Sequence, residues 1–187
     1  TDISHYPELK KNGVLATYQP HNLDRMVDSL KQYNDKDNQY WVTAAALIVI
    51  AYNTSLVAEK DAPKRWTDLL DPKWKDKIAI GHPAFSGYVG TWTVEMRKLY
   101  GWQYFEKLEK NKPQIGRSIN DTVTMLNAKE RWVAAGPEAT TLLSREFQVT
   151  LPLRTLFEAP NAEKLAAAIQ ALQGAGVGLQ APIALRA

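Results

Sequence analysis

The stretch Ile78-Ala79-Ile80-Gly81-His82-Pro83-Ala84-Phe85-Ser86-Gly87-Tyr88, continuing through Trp92, Met96 and Leu99, decides how the chain is read. Residues 77–80 form a short, largely apolar run of the kind found in buried strands, and Gly81-His82-Pro83 closes it. Ser86 stands at an expected N-cap position. Tyr88, Trp92, Met96 and Leu99 recur at helical spacing, and Gly101 falls where a left-handed residue ends a helix. A strand that passes through a tight polar turn into a helix is the repeating unit of layered α/β folds.

The same rhythm extends on both sides. Upstream, residues 45–52 are continuously apolar with several β-branched members, the pattern of a strand buried on both faces, and Asn53-Thr54 ends it. Pro63, Trp66, Leu69 and Leu70 make a short helix that stops at Asp71-Pro72. Downstream come a helix over 102–110, a strand-like piece at 115–118 and a strand over 131–135 that Gly136-Pro137 terminates. Between the last two, Ser118-Ile119-Asn120-Asp121 fits a capping box that opens a helix through Thr122, Met125 and Leu126. The expected fold is an open α/β sheet with flanking helices, in which ligands sit beyond the carboxyl ends of the strands.

With 187 residues, 45% of them hydrophobic, the chain has enough apolar material for one sizeable core or two small ones, which excludes extended disorder. The apolar run 41–52 falls short of the roughly 20 residues a bilayer-spanning helix needs. The chain opens on Thr1 with no basic-then-apolar start, so the expectation is that either a targeting segment has been removed or the start lies outside the sequence. Without cysteine there is no disulfide, thiolate zinc site or thiol nucleophile. The net charge of +3 is spread among interspersed acids, whereas a nucleic-acid surface needs a basic stripe.

Two polar helix starts are the candidate binding elements. At Ser86-Gly87-Tyr88 the first-turn N–H groups and the helix dipole favour an anion, and Gly87 permits close approach. Ser118, Asn120, Asp121 and Thr122 form the second start, where Asp121 offers its carboxylate to a cation instead. Each start also serves simply to cap its own helix. Tyr40, Trp41, Tyr52, Tyr88 and Trp92 are candidates for stacking on a ligand, with core packing the alternative. His5, His21 and His82 have no partner at i+3 or i+4, so no metal site is expected. No nucleophile elbow, phosphate loop or His-Glu-x-x-His motif is present, and neither enzymatic activity nor a cofactor is expected.

Three segments together carry a family resemblance: Ala51-Tyr52-Asn53-Thr54; Ala62-Pro63-Lys64-Arg65-Trp66-Thr67-Asp68-Leu69-Leu70-Asp71-Pro72-Lys73-Trp74-Lys75-Asp76-Lys77-Ile78-Ala79; and Ser86-Gly87 opening a helix. Over residues 4–142 the chain resembles an extracellular solute-binding protein of an ABC importer, in the group that includes iron(III), thiamine, polyamine, phosphonate and sugar-phosphate binders. The resemblance implies a type 2 periplasmic-binding-protein architecture of two lobes that close on a solute and deliver it to a membrane permease, in the periplasm or outside the cell. On this sequence its first lobe is incomplete, so a permease partner is implied only if that lobe is supplied. The implied ligand-binding residues are Ser86, Gly87, Tyr88, Asn120 and Thr122, with Tyr52 near the crossover between lobes. Iron-binding members carry adjacent tyrosines where this chain reads Gly136-Pro137-Glu138-Ala139-Thr140-Thr141, so a small organic or phosphorylated anion is expected rather than ferric iron.

Every Trp and Tyr lies at or before Trp132, and the remainder is rich in Leu and Ala, which sets an expected domain boundary at 142/143. Residues 147–160 followed by Leu165-Ala166-Ala167-Ala168-Ile169 resemble the last third of a nonribosomal peptide synthetase carrier domain. Gly174-Ala175-Gly176-Val177-Gly178 resembles an interdomain linker. Residues 136–143 contain no serine to receive a phosphopantetheine arm, so this helical tail is expected not to be loadable. The alternative function is therefore a non-loadable, carrier-like interaction piece of a peptide-synthesis assembly, which would be cytoplasmic.

Overall fold

The computed structural model describes residues 3, 5–147, 162–174 and 183–186. Packing divides the chain into two compact units, Thr1–Ala46 and Leu47–Ala187. Residues 148–160 of the tail that resembles a carrier domain, and residues 175–178 of the glycine-rich stretch, lie outside the described residues.

In the first unit, helices α1 (Tyr6–Lys11) and α2 (Asp28–Lys31) are joined through a single 3-10 turn at Leu23–Arg25 and extended chain. Among its described residues no apolar side chain is buried, and Asp35 is its only buried polar one. Polar contacts hold it instead. Lys10 Nζ donates to Asp35 Oδ1 at 2.5 Å and to Asp37 Oδ2 at 2.6 Å, while Asp35 Oδ2 accepts the N–H groups of Asp37 and Gln39. Tyr6 stacks on Tyr40 with ring centroids 4.7 Å apart, and Trp41 Nε1 donates to Tyr18 O.

The hydrogen bond from Lys10 holds the Asp35 carboxyl below the usual carboxylate range against the opposing effect of desolvation, and the bonds to Asp35 and Asp37 raise Lys10. A depressed carboxyl contributes stability above its free value near 3.9 and loses it as pH falls through the lower folded value. A raised lysine contributes below about 10.4 and loses that contribution as pH climbs through the higher one. The loop 35–40 should therefore keep one conformation between about pH 4 and 10 and loosen outside that window. The amide NMR shifts of Asp37 and Gln39, followed through an acid titration, will check this: they should move together below about pH 4, and a Lys10→Met variant should show the loosened shifts at neutral pH.

The second unit is built on a five-stranded sheet, with β1 (Ile48–Asn53), β2 (Ile78–Gly81), β3 (Gln114–Gly116), β4 (Val133–Pro137) and β5 (Ile183–Arg186) in the order β3-β2-β4-β1-β5. β2 runs parallel to β3 and β4, and β1 is antiparallel to β4 and β5. Among the described residues, helices α3 (Gly87–Tyr100), α4 (Gln103–Lys110), α5 (Asp121–Asn127), α6 (Glu138–Phe147) and α7 (Ala162–Gly174) connect or flank the strands. Among the described residues no helix is long and apolar enough to cross a membrane.

Local differences from the sequence reading have physical causes. β1 begins at Ile48 because residues 45–47, apolar as they are, find no ladder partner, and Leu47 is left 61% exposed. The short helix after Pro63 is a 3-10 turn, Trp66–Leu70, followed by a second at Pro72–Trp74 whose start Asp71 caps by accepting Lys73 N–H. On α3 the buried stripe is Val89, Trp92 and Met96, whereas Tyr88 and Leu99 face outward at 43% and 66% exposure. Val89, three positions before Trp92, is about 60° from it round the helix and shares the buried face, whereas Tyr88 in the open first turn is exposed.

One face of the sheet carries the large core: Ile78, Ile80, Tyr52 and Val133 pack with Trp74, Trp92, Met96, Tyr104 and Leu108. Tyr104, 1% exposed, donates its hydroxyl to Trp66 O at 2.9 Å. The opposite face is made of small residues. Ala51, Ala134 and Ala79 lie side by side on β1, β4 and β2, and Val123 and Leu126 of α5 rest on them. Asn53, fully buried, ties the end of β1 to the end of α5 by donating to Leu126 O at 2.7 Å.

The packing division falls at 46/47, and the 142/143 boundary read from composition stands beside it as a proposal. The described tail contains both a helix and a strand. α7 buries Ile169 (5% exposed) with Leu165 and Leu172 half-buried, and β5 pairs with β1 from Ile50↔Arg186 to Asn53↔Ile183. Composition registers the loss of aromatic residues; it carries no information about which strand edge a distant segment will cover.

Candidate functional site

A parallel arrangement of β2, β3 and β4 brings their carboxyl ends, and therefore the starts of α3, α5 and α6, to one edge of the sheet. Glycines make the close approach possible. Gly116 and Gly81 are register partners, and continuing the Ala79↔Ala134 register sets Gly136 level with them. A Cβ on Gly81 would lie 2.7 Å from Val89 Cγ2 and 3.1 Å from Ile119 Cα; one on Gly116 would lie 2.6 Å from Asp121 Cβ. At Gly136 the nearest atom would be Thr122 Oγ1 at 3.1 Å. This transverse row of glycines beside the row of alanines forms a shallow bed into which the first turn of α5 sinks.

The three helix starts differ electrostatically. α3 has no acid in its first turn, and the N–H groups of Gly87 and Tyr88 meet no acceptor among the described residues. Ser86 accepts Val89 N–H at 3.5 Å, a long cap, so its hydroxyl remains a partner for something else. Ser86 and Gly87 are half-buried and Tyr88 is exposed. The positive pole of a fourteen-residue helix is thus open at the sheet edge.

The start of α5 is already used. Ser118 N–H donates to Asp121 Oδ2 at 2.9 Å, the expected half of a capping box, but Ser118 Oγ takes Asn120 N–H rather than that of Asp121. The N–H groups of Asp121, Thr122 and Val123 go to Ser118, Ile119 and Asn120 carbonyls. Of the backbone donors expected here, few are left for a ligand, and the carboxylate of Asp121 answers the dipole from within. α6 also carries an acid, Glu138, whose N–H donates to Leu47 O. Asn120 links the two starts: its Oδ1 accepts from Thr140 Oγ1 at 2.8 Å, leaving its amide nitrogen as a donor without a protein partner among the described residues.

Of the residues expected to bind ligand, the structure thus gathers Ser86, Gly87, Tyr88 and Asn120 at one sheet edge. Two are set apart from it. Thr122 is fully buried, its hydroxyl donating to Ile119 O and packing over Gly136. Tyr52 sits in the large core at 3% exposure, opposite Val133 at the amino end of β4, because the antiparallel course of β1 carries its last residues away from the edge. Sequence reading passes over Arg117, which directly follows the terminal glycine of β3; its Cζ lies 5.7 Å from the ring centre of the exposed Phe85, which itself packs on His82 at 4.8 Å. A cation immediately after a Gly that ends a strand was the available signal.

Comparison with known proteins gives this geometry a family. The family of bacterial extracellular solute-binding proteins matches residues 2–152. The chain belongs to that family. A probable ABC transporter periplasmic-binding protein of Sinorhizobium fredii is 35% identical over 79 residues, covering 41% of this chain and 20% of that protein. A Salmonella typhimurium periplasmic protein, whose provisional name gives 2-aminoethylphosphonate as its ligand, is 28% identical over 117 residues, covering 58% and 33%. The crystal structure of iron-bound HitA from Pseudomonas aeruginosa superposes with a TM-score of 0.58 at 23% identity, over 74% of this chain and 45% of that one, and gives the fold as that of the type 2 periplasmic binding proteins. The chain spans a fifth to a third of these two curated relatives and under half of HitA.

Proposed function

We propose that this solute-binding chain captures a small anion bearing a phosphoryl or phosphonyl group at the start of α3, as the solute-holding part of an ABC importer acting outside the cytoplasm. The observation that carries the reading is the acid-free first turn of α3, with the Gly87 and Tyr88 N–H groups meeting no acceptor among the described residues, at an edge where three parallel strands end in or beside glycine. Ser86 and the Asn120 amide flank the anion, and Tyr88 covers it. Thr122 acts through the position of α5, and Tyr52 through the core. The relative named for a phosphonate ligand supports the same chemistry. The two curated relatives described above are named as binding proteins, and the family reading asks for no catalytic step.

Thermal denaturation of the full chain in the presence of 2-aminoethylphosphonate, hexose phosphates, thiamine and polyamines tests this directly. A ligand that binds only the folded state adds about 2.7 kcal/mol at a hundred times its dissociation constant. A rise in Tm is expected with the phosphonate or phosphate compounds and none with the cationic polyamines. Stabilisation by polyamines alone, or by nothing, would reject the anion reading.

A further inference from the structure

We infer that Arg117 is the residue that selects the charge state of the bound head group, so that the site prefers a dianionic phosphoryl or phosphonyl group to a monoanion; this rests on the anion reading of the α3 start. Three features of the structure converge on it. Arg117 leaves β3 directly after Gly116, the register partner of Gly81, and the parallel pairing continues one residue further as His82 N–H donates to Gly116 O at 2.9 Å. Its guanidinium is therefore delivered beside the loop that leads into α3. It is held there by a ring, at 5.7 Å from the centre of Phe85, the residue next to Ser86. Among the described residues it also forms no ion pair, as is true of most of the chain's cations apart from Lys10, Lys31, Arg65 and Lys98, so no carboxylate occupies its N–H groups.

The Phe85 face holds the guanidinium without neutralising it, because a cation over an aromatic ring keeps its N–H groups in the plane free for a second partner. Arg117 and Phe85 are both exposed, Phe85 at 63%, so the pair meets at the surface beside the loop into α3. The donors available to a head group are then the two α3 N–H groups, the Asn120 amide and the planar guanidinium. A carboxylate has two oxygens to meet them; a phosphoryl group has three, and its second negative charge gains most from a guanidinium.

The other ionisable groups near this loop are His82, Asp121 and Glu138. His82 accepts Ala84 N–H at Nδ1 and stacks on Phe85; Asp121 accepts Ser118 N–H; Glu138 lies in the first turn of α6. Any pH dependence of binding must be separated from theirs.

Isothermal titration of the full chain with a hexose phosphate between pH 5 and 7.5, the range in which a phosphate monoester gains its second charge near pH 6, provides the test. Sulfate, doubly charged throughout this range, reports any contribution from His82. The unaltered protein should bind the phosphate about tenfold more tightly at the upper pH, the size of one charge-assisted hydrogen bond, and sulfate with little change. Arg117→Gln should flatten the phosphate profile, and Arg117→Lys should restore part of the rise. If Arg117→Gln keeps both the affinity and the pH rise, the role given to Arg117 is wrong while the α3 cradle stands. If the unaltered protein binds neither phosphate nor sulfate, both readings fall.

Discussion

Glutamate in place of Ser86 is expected to abolish anion binding while leaving the chain folded. The side chain at this position sits at the mouth of the α3 start, where the Gly87 and Tyr88 N–H groups have no acceptor among the described residues. A carboxylate introduced there satisfies those donors from within the chain and repels an incoming anion, and like charges at close range cost several kcal/mol. Affinity should fall by at least about a hundredfold. Stability should change far less, because the cap that is lost is a long one of 3.5 Å and an acid at a helix start is favourable in itself. Ser86→Ala separates the contributions: it removes the hydroxyl but not the N–H groups, so affinity should drop only a few-fold. Titration calorimetry beside a denaturation midpoint reads both quantities. Undiminished affinity in the glutamate variant would place the anion elsewhere.

The second large effect concerns two glycines only nine residues apart, for which a change to alanine should act in opposite directions. At Gly81 the new Cβ would meet Val89 Cγ2 at 2.7 Å and the Ile119 backbone at 3.1 Å. Val89 can yield by rotation, but the backbone at Ile119 cannot without displacing the start of α5 from its bed. Overpacking of this kind costs about 1–3 kcal/mol, or roughly 2–4 °C in Tm per kcal/mol for a domain of this size. Because the same shift disturbs the spacing of Ser86 and Asn120, anion affinity should weaken together with stability. At Gly90, inside α3, the nearest atom would be Pro83 O at 3.4 Å, an ordinary contact, so alanine there should gain about 0.5–1 kcal/mol from helix propensity. Urea denaturation of the two variants in parallel reads the contrast, and equal effects at the two positions would mean that the glycine row does not set the spacing of the helix starts.

The expected strands at 77–80 and 131–135 and the helix after Ser86 are all present within a few residues, because apolar runs and caps act over short distances. The capping box at Ser118 is half formed for a reason that sequence spacing omits: Asp121 is pressed against Gly116, which fixes which donor its carboxylate meets. Tyr52 illustrates the opposite case. The tetrapeptide Ala51-Tyr52-Asn53-Thr54 points to the family, yet whether a tyrosine in it faces a ligand or a core depends on strand direction, and β1 is antiparallel to its neighbour β4. Arg117 escaped notice because a lone exposed arginine has no periodicity. Its place beside Phe85 exists only after β3 has paired with β2.

By itself, the sequence determined the α/β alternation, the family, and the two residues Ser86 and Gly87 that open α3, since each of these depends on local spacing or on a contiguous motif. The tertiary structure alone decided which helix starts share an edge, which of them still has free N–H groups, and that the tail returns to cover β1. The physical reason is that strand order and direction are settled by burial across the whole sheet. The open helix start at its edge is a property of that order rather than of any one segment.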